Sequence, residues 1–429
     1  MKPFDKGFLV GASTAAHQVE GNNVHSDCWA LERIPHTAYA EPSGEAVDHY
    51  RRYEEDIKLL AGAGLNAYRF SIEWARIEPE EGKFDEAEVE HYRNMIRCCK
   101  ENGVEPMVTL HHFSSPAWLI TKGGWEWEGV ADCFQRYCRY VMERLGEELT
   151  YVCTINEANI RLQIAGIMKR YMLQAQQAAQ NPEAALQMGM NMKALMEQQQ
   201  LAAVEGAAAF GLADPQGVHV FQSPCTAEGD AVICRAHEAA RAAIREVCPQ
   251  VKVGLTLSFH DLQPQPGAED TAAREWDKEF RHYLPCIKGD DFLGVQNYTR
   301  SLLGPGGLLP TPEGAELTQA GYEYYPQGLE HVIRAAAADF KGELFVTENG
   351  IATADDTRRQ AFIRTALEGV QRCVADGIPV KGYFHWSLLD NFEWQKGYAM
   401  TFGLIAVDRS TQKRTVKPSL ELLGSYCPR

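Results

Sequence analysis

The chain has 429 residues, of which 45% are hydrophobic, and it contains 8 Trp, 17 Tyr and 17 Phe. This composition supplies enough apolar side chains for a large core, and it excludes global disorder and a collagen-like repeat. Asp and Glu outnumber Lys and Arg by 58 to 42, which leaves a net charge of −16. Because that charge repels phosphate backbones and anionic lipid surfaces, we expect neither nucleic acid nor a membrane as a partner.

Cysteine content and the N-terminal sequence bear on the compartment. Twelve cysteines are an ordinary number for this length, and no C-x-x-C pair or regular Cys/His spacing occurs, so we expect reduced, buried thiols. The N-terminal sequence MKPFDKGFLVGAST lacks the apolar region of a signal peptide. No run approaches the ~20 apolar residues of a membrane span. These features together predict a cytoplasmic protein.

Short apolar runs alternate with segments of helical period along most of the chain. In chain order the eight runs are Phe8–Ala12, Ala67–Ile72, Pro106–Leu110, Thr150–Ile155, Val251–Leu257, Phe292–Gln296, Leu344–Val346 and Val380–Trp386. The helical segments between them include Glu45–Ala63, Glu86–Asn102, Val130–Leu145, Ile233–Val247 and Thr357–Asp376. This alternation predicts βα units around a parallel barrel. We expect a single (β/α)8, or TIM-barrel, domain over residues 1–429.

One segment interrupts the alternation after the fourth predicted strand. It runs from Ile167 to Phe210, is dense in Met, Gln and Ala, and favours helix. Since it is too long for an ordinary βα loop, we expect a helical insertion at about residues 167–210. Loops that follow the strands build the active-site face of such barrels. The sequence therefore leaves two roles open for the insertion, a lid over the site and a contact in a homo-oligomer.

Two carboxylates stand out by position. Glu157 comes just past the fourth predicted strand in CTINEAN, and Glu348 just past the seventh in FVTENG. Both side chains should therefore project at the C-terminal mouth of the barrel. Two carboxylates that flank a glycosidic bond can act as general acid and as nucleophile, according to their surroundings. Arg69, at the end of the second strand, is a candidate cation that would keep one of them ionised.

The sequence contains six motifs that together resemble glycoside hydrolase family 1. These are GASTAAHQVEG, YRFSIEWARI, HHFSSPAWL, TINEAN, VTENG and YFHWSLLDNFEWQKGY. This is the family of retaining β-glucosidases and β-glycosidases on a (β/α)8 barrel. The similarity runs from about Phe8 to the C-terminus with the inserted segment excluded. It implies a glycosidase that acts on a small-molecule β-glycoside.

The resemblance also implies roles for individual residues. Glu348 matches the family's nucleophile, and Glu157 matches its acid/base. Asn156 would hold the sugar 2-hydroxyl, Tyr298 would place its hydroxyl beside the nucleophile, and Trp386 would form the platform under the sugar. The positions that would grip the remaining hydroxyls of the glycone are Gln18, His112, Glu393 and Trp394.

Neither a metal nor another cofactor is expected. His111 and His112 could suggest metal ligation, but adjacent residues on a strand point to opposite faces, so only one of them can enter the site. Trp125 and Trp127 could line a channel for the aglycone, although aromatics packed at the rim are the simpler interpretation.

Several positions depart from the family pattern. Ala158 stands where Pro is usual, Phe113 where Trp is common, and Thr401 where Arg is usual. Gln296 and Asn297 replace the usual Asn-Tyr before Tyr298. These departures predict differences in the outer specificity of the site and an unusual aglycone site.

The leading hypothesis is a retaining exo-β-glycosidase for a neutral β-D-hexoside, with glucose first and galactose or fucose next. A 6-phospho-β-glycosidase of the same family is the alternative, which Lys396 and Tyr398 keep open. Glu393 argues against it, because a carboxylate repels a phosphate dianion. A non-catalytic sugar-binding barrel is an alternative of another class, although degenerate relatives usually lose a catalytic carboxylate and both are present here.

Overall fold

The protein is described by a computed structural model that covers residues 2–166, 168 and 192–428. Eight parallel strands close into a barrel, and each strand lies between its neighbours in sequence. In chain order, strands β1 to β8 are Leu9–Ser13, Ala67–Ser71, Glu105–His111, Tyr151–Ile155, Lys252–Ser258, Phe292–Gln296, Glu343–Asn349 and Val380–Trp386. All eight predicted strands are therefore confirmed, and the barrel closes where Leu9 of β1 pairs with Gly382 of β8.

Helices cover the outside of the barrel between successive strands. In chain order, helices α1 to α8 are His49–Gly62, Glu86–Glu101, Val130–Leu145, Ala227–Val247, Glu269–Glu279, Gly328–Asp339, Asp356–Ala375 and Pro418–Gly424. Shorter helices lie at Ala16–Val19, Asp27–Leu31, Trp74–Ile77, Ala117–Ile120 and Leu284–Ile287. Small additional strands lie at Asp261–Pro264, Arg300–Gly304, Gly307–Leu308, Ile405–Asp408 and Lys413–Val416. Within the described ranges, no helix is long and apolar enough to cross a membrane.

Two helices begin several residues away from their predicted starts, and local capping explains both. Helix α1 starts at His49 instead of Glu45, because Asp48 adopts a left-handed conformation with φ of 53°. Helix α4 starts six residues before the predicted Ile233, because the Thr226 side chain accepts a hydrogen bond from the backbone N–H of Gly229. The apolar pattern locates the buried face of a helix, whereas the caps decide where it starts.

The barrel interior is filled by side chains at its N-terminal end. Six buried residues from six strands pack there, namely Ala67, Met107, Cys153, Phe292, Phe345 and Phe384. A larger apolar cluster fills the layer between the strands and the surrounding helices. Because apolar residues close the lower half of the barrel, the polar strand ends meet only at the C-terminal mouth.

The predicted insertion follows β4 and lies partly outside the described residues. Within it, Met192–Ala209 forms one long helix, here called the insertion helix. Its Glu205 accepts hydrogen bonds from the backbone N–H of His36 at 2.8 Å and from its Nδ1 at 2.7 Å. The helix also packs on the short helix Asp27–Leu31, where Gly206 lies close to the Leu31 side chain. Residues 167 and 169–191 lie outside the described part, so the predicted structure of that stretch stays a prediction.

Candidate active site

Glu348 sits at the C-terminal end of β7 and is held by two donors. The Arg69 guanidinium, from the end of β2, donates from Nη1 to its Oε1 at 2.7 Å. The Tyr298 hydroxyl donates to its Oε2 at 2.7 Å. The Glu348 residue is only 4% exposed, so both interactions act with little screening by water. A cation and a hydroxyl at hydrogen-bonding distance favour the ionised form of this carboxyl group.

Asn156, at the end of β4, links the site through its side-chain amide. Its Oδ1 accepts hydrogen bonds from Arg69 Nη2 at 2.6 Å and from Gln296 Nε2 at 2.8 Å. Its Nδ2 lies 3.1 Å from Nε2 of His112. Burial and the nearby Arg69 charge lower the pKa of His112 well below its ordinary value, so this imidazole is neutral. Four strands thus hold one connected polar network at the barrel mouth.

Glu157 follows Asn156 and occupies a strained backbone position. Its φ is +43°, which is unfavourable for a residue with a Cβ and is tolerated where neighbouring contacts impose it. Two hydrogen bonds to β5 hold it here, since the N–H of Glu157 donates to Thr256 Oγ1 and the N–H of Ala158 donates to Thr256 O, each at 3.1 Å. Ser258 hydrogen-bonds to the Glu157 carboxyl group. The turn therefore fixes this carboxyl group at the barrel mouth.

The two carboxyl groups have different electrostatic surroundings. Burial, and after it the nearby charge of Glu348, raises the pKa of Glu157 to about 8. Burial also raises the pKa of Glu348, but Arg69 and the hydrogen bond from Tyr298 oppose that rise. Because only Glu348 has both of these donors, the negative charge of the pair resides on Glu348 and the proton on Glu157. This is the division that a nucleophile and a general acid require.

The remaining predicted residues line the same mouth next to His112. Gln18 Nε2 donates to Glu393 Oε2 at 3.2 Å, and the Trp386 side chain also hydrogen-bonds to Glu393. Burial, and after it the charge of Glu348, raises the pKa of Glu393 to about 8. The His112 ring stacks on Trp386 with a centroid distance of 5.6 Å and lies 6.4 Å from Trp394. The structure thus places all ten predicted residues around one mouth.

The adjacent histidines at the end of β3 diverge as predicted. His112 points to Asn156, whereas Nε2 of His111 lies 3.0 Å from the hydroxyl of Ser115. His111 also packs against Trp125, with 4.6 Å between ring centroids. Trp125 is fully buried in this aromatic packing, which excludes a direct role for its ring in an aglycone channel.

The departures from the family pattern have structural consequences. Ala158 donates its N–H to β5, a hydrogen bond that the usual Pro has no N–H to make. Gln296 bonds to Asn156, and Asn297 donates from Nδ2 to the carbonyls of Phe259 and Thr299. Thr401 lies away from the carboxylates, where its hydroxyl donates to Gln319 at 2.7 Å.

Sequence reasoning missed the supporting residues on β5. Thr256 and Ser258 position Glu157, and neither residue type signals such a role by itself. Their positions at the end of a predicted strand were the only available signal. Tyr322 was also missed, although its ring centroid lies 6.5 Å from that of Tyr298 at the rim. It enters from a long irregular segment, where periodicity gives no information on position.

Comparisons with known proteins agree with this geometry. The model of glycosyl hydrolase family 1 matches residues 1–194 and 310–426. The chain belongs to glycosyl hydrolase family 1. It is 30% identical to a β-glucosidase of an Agrobacterium strain, over 97% of this chain and 93% of that protein. The predictions of the family and of a β-glucosidase-type glycosidase are therefore confirmed. The protein is an enzyme, which rules out the alternative of a non-catalytic sugar-binding barrel.

Solved structures are similar over the full length of this family 1 chain. A β-glycosidase named BGL167 has a TM-score of 0.88 and 45% identity, over 100% of this chain and 99% of that chain. The β-glucosidase of Thermotoga maritima in complex with cyclophellitol has a TM-score of 0.80 and 26% identity, over 99% and 98% of the two chains. The predicted (β/α)8 barrel is thus confirmed by the strand topology and by these neighbours.

Proposed function

We propose that this family 1 enzyme hydrolyses β-D-glucosides with retention, with Glu348 as nucleophile and Glu157 as acid/base. The observation that carries the proposal is the contrast between the two carboxyl groups. Glu348 is bonded to Arg69 and Tyr298, while the pKa of Glu157 is raised to about 8. A retaining glycosidase needs one ionised and one protonated carboxyl group at neutral pH.

The reaction proceeds in two displacements. Glu348 attacks the anomeric carbon, and Glu157 protonates the leaving oxygen, so the aglycone departs as an alcohol and a glycosyl ester forms on Glu348. The ester removes the charge of Glu348, which lowers the pKa of Glu157 because that charge raised it. Glu157 then accepts a proton from water, which attacks the anomeric carbon and releases the sugar. Both carboxyl groups return to their starting states.

The other predicted residues are proposed to hold the glycone. Asn156 keeps one Nδ2 hydrogen for the 2-hydroxyl beyond the contact with His112, and this interaction strengthens in the transition state. Trp386 offers an apolar face to the sugar C–H groups. The remaining hydroxyls are assigned to Gln18, His112, Glu393 and Trp394.

Glucose is the proposed glycone, and the names of the relatives support it. The Agrobacterium and Thermotoga maritima proteins are both named β-glucosidase. A panel of 4-nitrophenyl β-glycosides that differ only in the sugar tests this assignment. The highest kcat/KM is expected for the glucoside, and a higher value for the galactoside or the fucoside would contradict it.

A 6-phosphoglycoside is a poorer fit to the pocket. Glu393 places a carboxyl group among the glycone residues, and a carboxyl group whose pKa is raised to about 8 offers a phosphate dianion no positive charge. The hydroxyl of Tyr398, one of the two candidate phosphate partners, already donates to the carbonyl of Ser43 at 2.5 Å. Lys396 remains exposed on a short turn of helix. The ratio of kcat/KM between 4-nitrophenyl β-glucoside and its 6-phosphate decides between the two substrates.

The compartment and the domain organisation are further proposals. All twelve cysteines fall in the described part of the chain and are free thiols, which supports a reducing compartment such as the cytoplasm. One domain over residues 1–429 is supported by the closure of the barrel between β1 and β8, its first and last strands along the chain. Thiol titration of the native protein purified from its host under non-reducing conditions tests the first proposal, and twelve reactive thiols after unfolding are expected.

A further inference from the structure

Gln296 is the last residue of β6 and lies between the two neighbouring strands of the barrel. In the strand register it pairs with Ser258 of β5 on one side and with Glu348 of β7 on the other. Side chains alternate along a strand, so Gln296 shares its face with Phe292, which packs inside the barrel. Gln296 is 0% exposed. Its side chain is therefore enclosed within the barrel, at the end that carries the catalytic carboxyl groups.

Two donors fix the direction of the Asn156 amide. Arg69 Nη2 lies 2.6 Å from Oδ1 of Asn156, and a guanidinium group can only donate hydrogen bonds. Gln296 Nε2 lies 2.8 Å from the same oxygen. A rotation of the amide by half a turn would place its NH2 group against both donors, and neither hydrogen bond could form. The oxygen therefore faces Arg69 and Gln296, while Nδ2 lies 3.1 Å from Nε2 of His112.

The two donors differ in their dependence on the nucleophile. Arg69 also donates to Glu348 at 2.7 Å, and the negative charge that it faces disappears when the glycosyl ester forms. Gln296 donates to the hydroxyl of Thr256 at 3.3 Å besides its bond to Asn156. Within the described part of the chain, its amide makes no hydrogen bond to Glu348. Asn156 therefore keeps one neutral donor whose hydrogen bond does not depend on the charge of the nucleophile.

The length of the glutamine side chain matters for this contact. Gln296 stands where the family usually has asparagine, which is shorter by one methylene group, or about 1.5 Å of chain. An N–H···O hydrogen bond spans only about 2.7–3.2 Å, and the bond from Gln296 to Asn156 already measures 2.8 Å. From the same backbone position, an asparagine amide would lie too far from Asn156 to donate. The substitution thus gives Asn156 a donor that the usual residue would not supply.

We propose that Gln296 is a positioning residue that makes the enzyme selective for sugars with an equatorial 2-hydroxyl. It holds the Asn156 amide in the one direction in which the free Nδ2 hydrogen meets that hydroxyl. The contact with the 2-hydroxyl strengthens in the transition state, so a misdirected amide slows the reaction. The inference rests on the proposed function, which assigns Asn156 to the 2-hydroxyl. Removal of the Gln296 amide is therefore expected to affect only substrates that carry this hydroxyl.

The test compares 4-nitrophenyl β-glucoside with 4-nitrophenyl 2-deoxy-β-glucoside, which lacks only the 2-hydroxyl. Gln296→Met keeps the length of the side chain and removes its N–H donor. We expect this variant to lower kcat/KM for the glucoside by about 10-fold or more, because a displaced Asn156 amide no longer fits the transition state. The value for the 2-deoxy substrate should stay within about 2-fold of wild type, which also shows that the variant is folded.

A double-variant comparison shows whether Gln296 acts through Asn156. Asn156→Ala should lower kcat/KM for the glucoside and leave Gln296→Met little to remove. The double variant should therefore lie within about 2-fold of Asn156→Ala. Gln319→Met is the matched control, because this exposed glutamine accepts a hydrogen bond from Thr401, away from the carboxyl groups. Gln319→Met should change kcat/KM for neither substrate.

The outcomes separate this inference from the proposed function. Equal losses of Gln296→Met on the two substrates, or no loss on the glucoside, would overturn the inference and leave the proposed function standing. Additive effects of Gln296→Met and Asn156→Ala would also overturn it, because Gln296 would then act by a route other than Asn156. Failure of the wild-type enzyme to hydrolyse the glucoside would overturn both.

Discussion

The hydrogen bond from Tyr298 to Glu348 offers a sharp test of the proposed nucleophile. Tyr298→Phe removes one hydroxyl, which donates at 2.7 Å to a carboxyl group that is 4% exposed, and leaves the Arg69 contact in place. A hydrogen bond to a charged group contributes about 1.5–3 kcal/mol. That free energy corresponds to a loss in kcat/KM of roughly 10- to 150-fold.

The loss should depend on pH in a defined direction. The hydroxyl lowers the pKa of Glu348, so its removal raises that pKa, and a larger share of Glu348 carries a proton at a given pH. The acidic limb of the kcat/KM profile should therefore move to higher pH. The assay is the hydrolysis of an activated aryl glucoside between pH 4 and pH 9, with initial rates taken only at pH values from which both proteins recover full activity on return to pH 7.

A neighbouring tyrosine provides the control. Tyr322 is 46% exposed, and its ring centroid lies 6.5 Å from that of Tyr298. Tyr322→Phe should leave the acidic limb unchanged. If Tyr298→Phe keeps kcat/KM within about 2-fold of wild type and does not move the acidic limb, the hydrogen bond does not control the charge of Glu348 and the reasoning is wrong.

Four further predictions concern the two carboxyl groups and the insertion. Glu348→Gly should abolish hydrolysis. Azide should restore turnover with the α-glycosyl azide as product, because the small anion attacks the face that the nucleophile occupied. Formation of only the β-glycosyl azide would contradict the assignment of Glu348 as nucleophile. Glu157→Ala should slow glycosylation severely for an alkyl leaving group and far less for an activated phenol, as single-turnover rates would measure; equal losses would exclude Glu157 as the acid. For the wild-type enzyme, kcat/KM should fall above pH about 8 as Glu157 loses its proton, and this basic limb should disappear in Glu157→Gln. Replacement of residues 167–210 by a short Gly/Ser linker should raise KM for large aryl glycosides and leave KM for small ones within a few-fold, since a Met-rich lid would adapt to bulky apolar groups. Equal changes in KM for large and small substrates would indicate that the segment is an interface element instead. The same conclusion would follow if the only change were the loss of a dimer in sedimentation.

Hydrophobic periodicity was sufficient to predict the barrel. Strands such as Phe292–Gln296 and Val380–Trp386 have the bounds expected from their apolar runs, because a buried parallel strand must be apolar on both faces. Helix starts were less predictable. The left-handed Asp48 and the Thr226 cap determine where two helices begin, and such local interactions leave no trace in the apolar period.

The sequence by itself also determined which residues meet at the site. Strand ends of a parallel barrel share one face, so Arg69, Asn156 and Glu348 had to converge there once their strands were assigned. The motifs then distinguished these residues from ordinary salt bridges. The roles of the ten residues remain predictions for the experiments above.

Only the tertiary structure decided how the charges are distributed. Arg69 and Tyr298 are far from Glu348 in sequence, yet both contact it. Among the described residues no cation contacts Glu157, which is supported by Thr256 and Ser258. The pKa of a group depends on its burial and on its distance from other charges, and burial also decides which acceptors lack a hydrogen-bond partner. Burial and these distances arise only when remote segments pack together. Composition and periodicity therefore did not predict the pKa values.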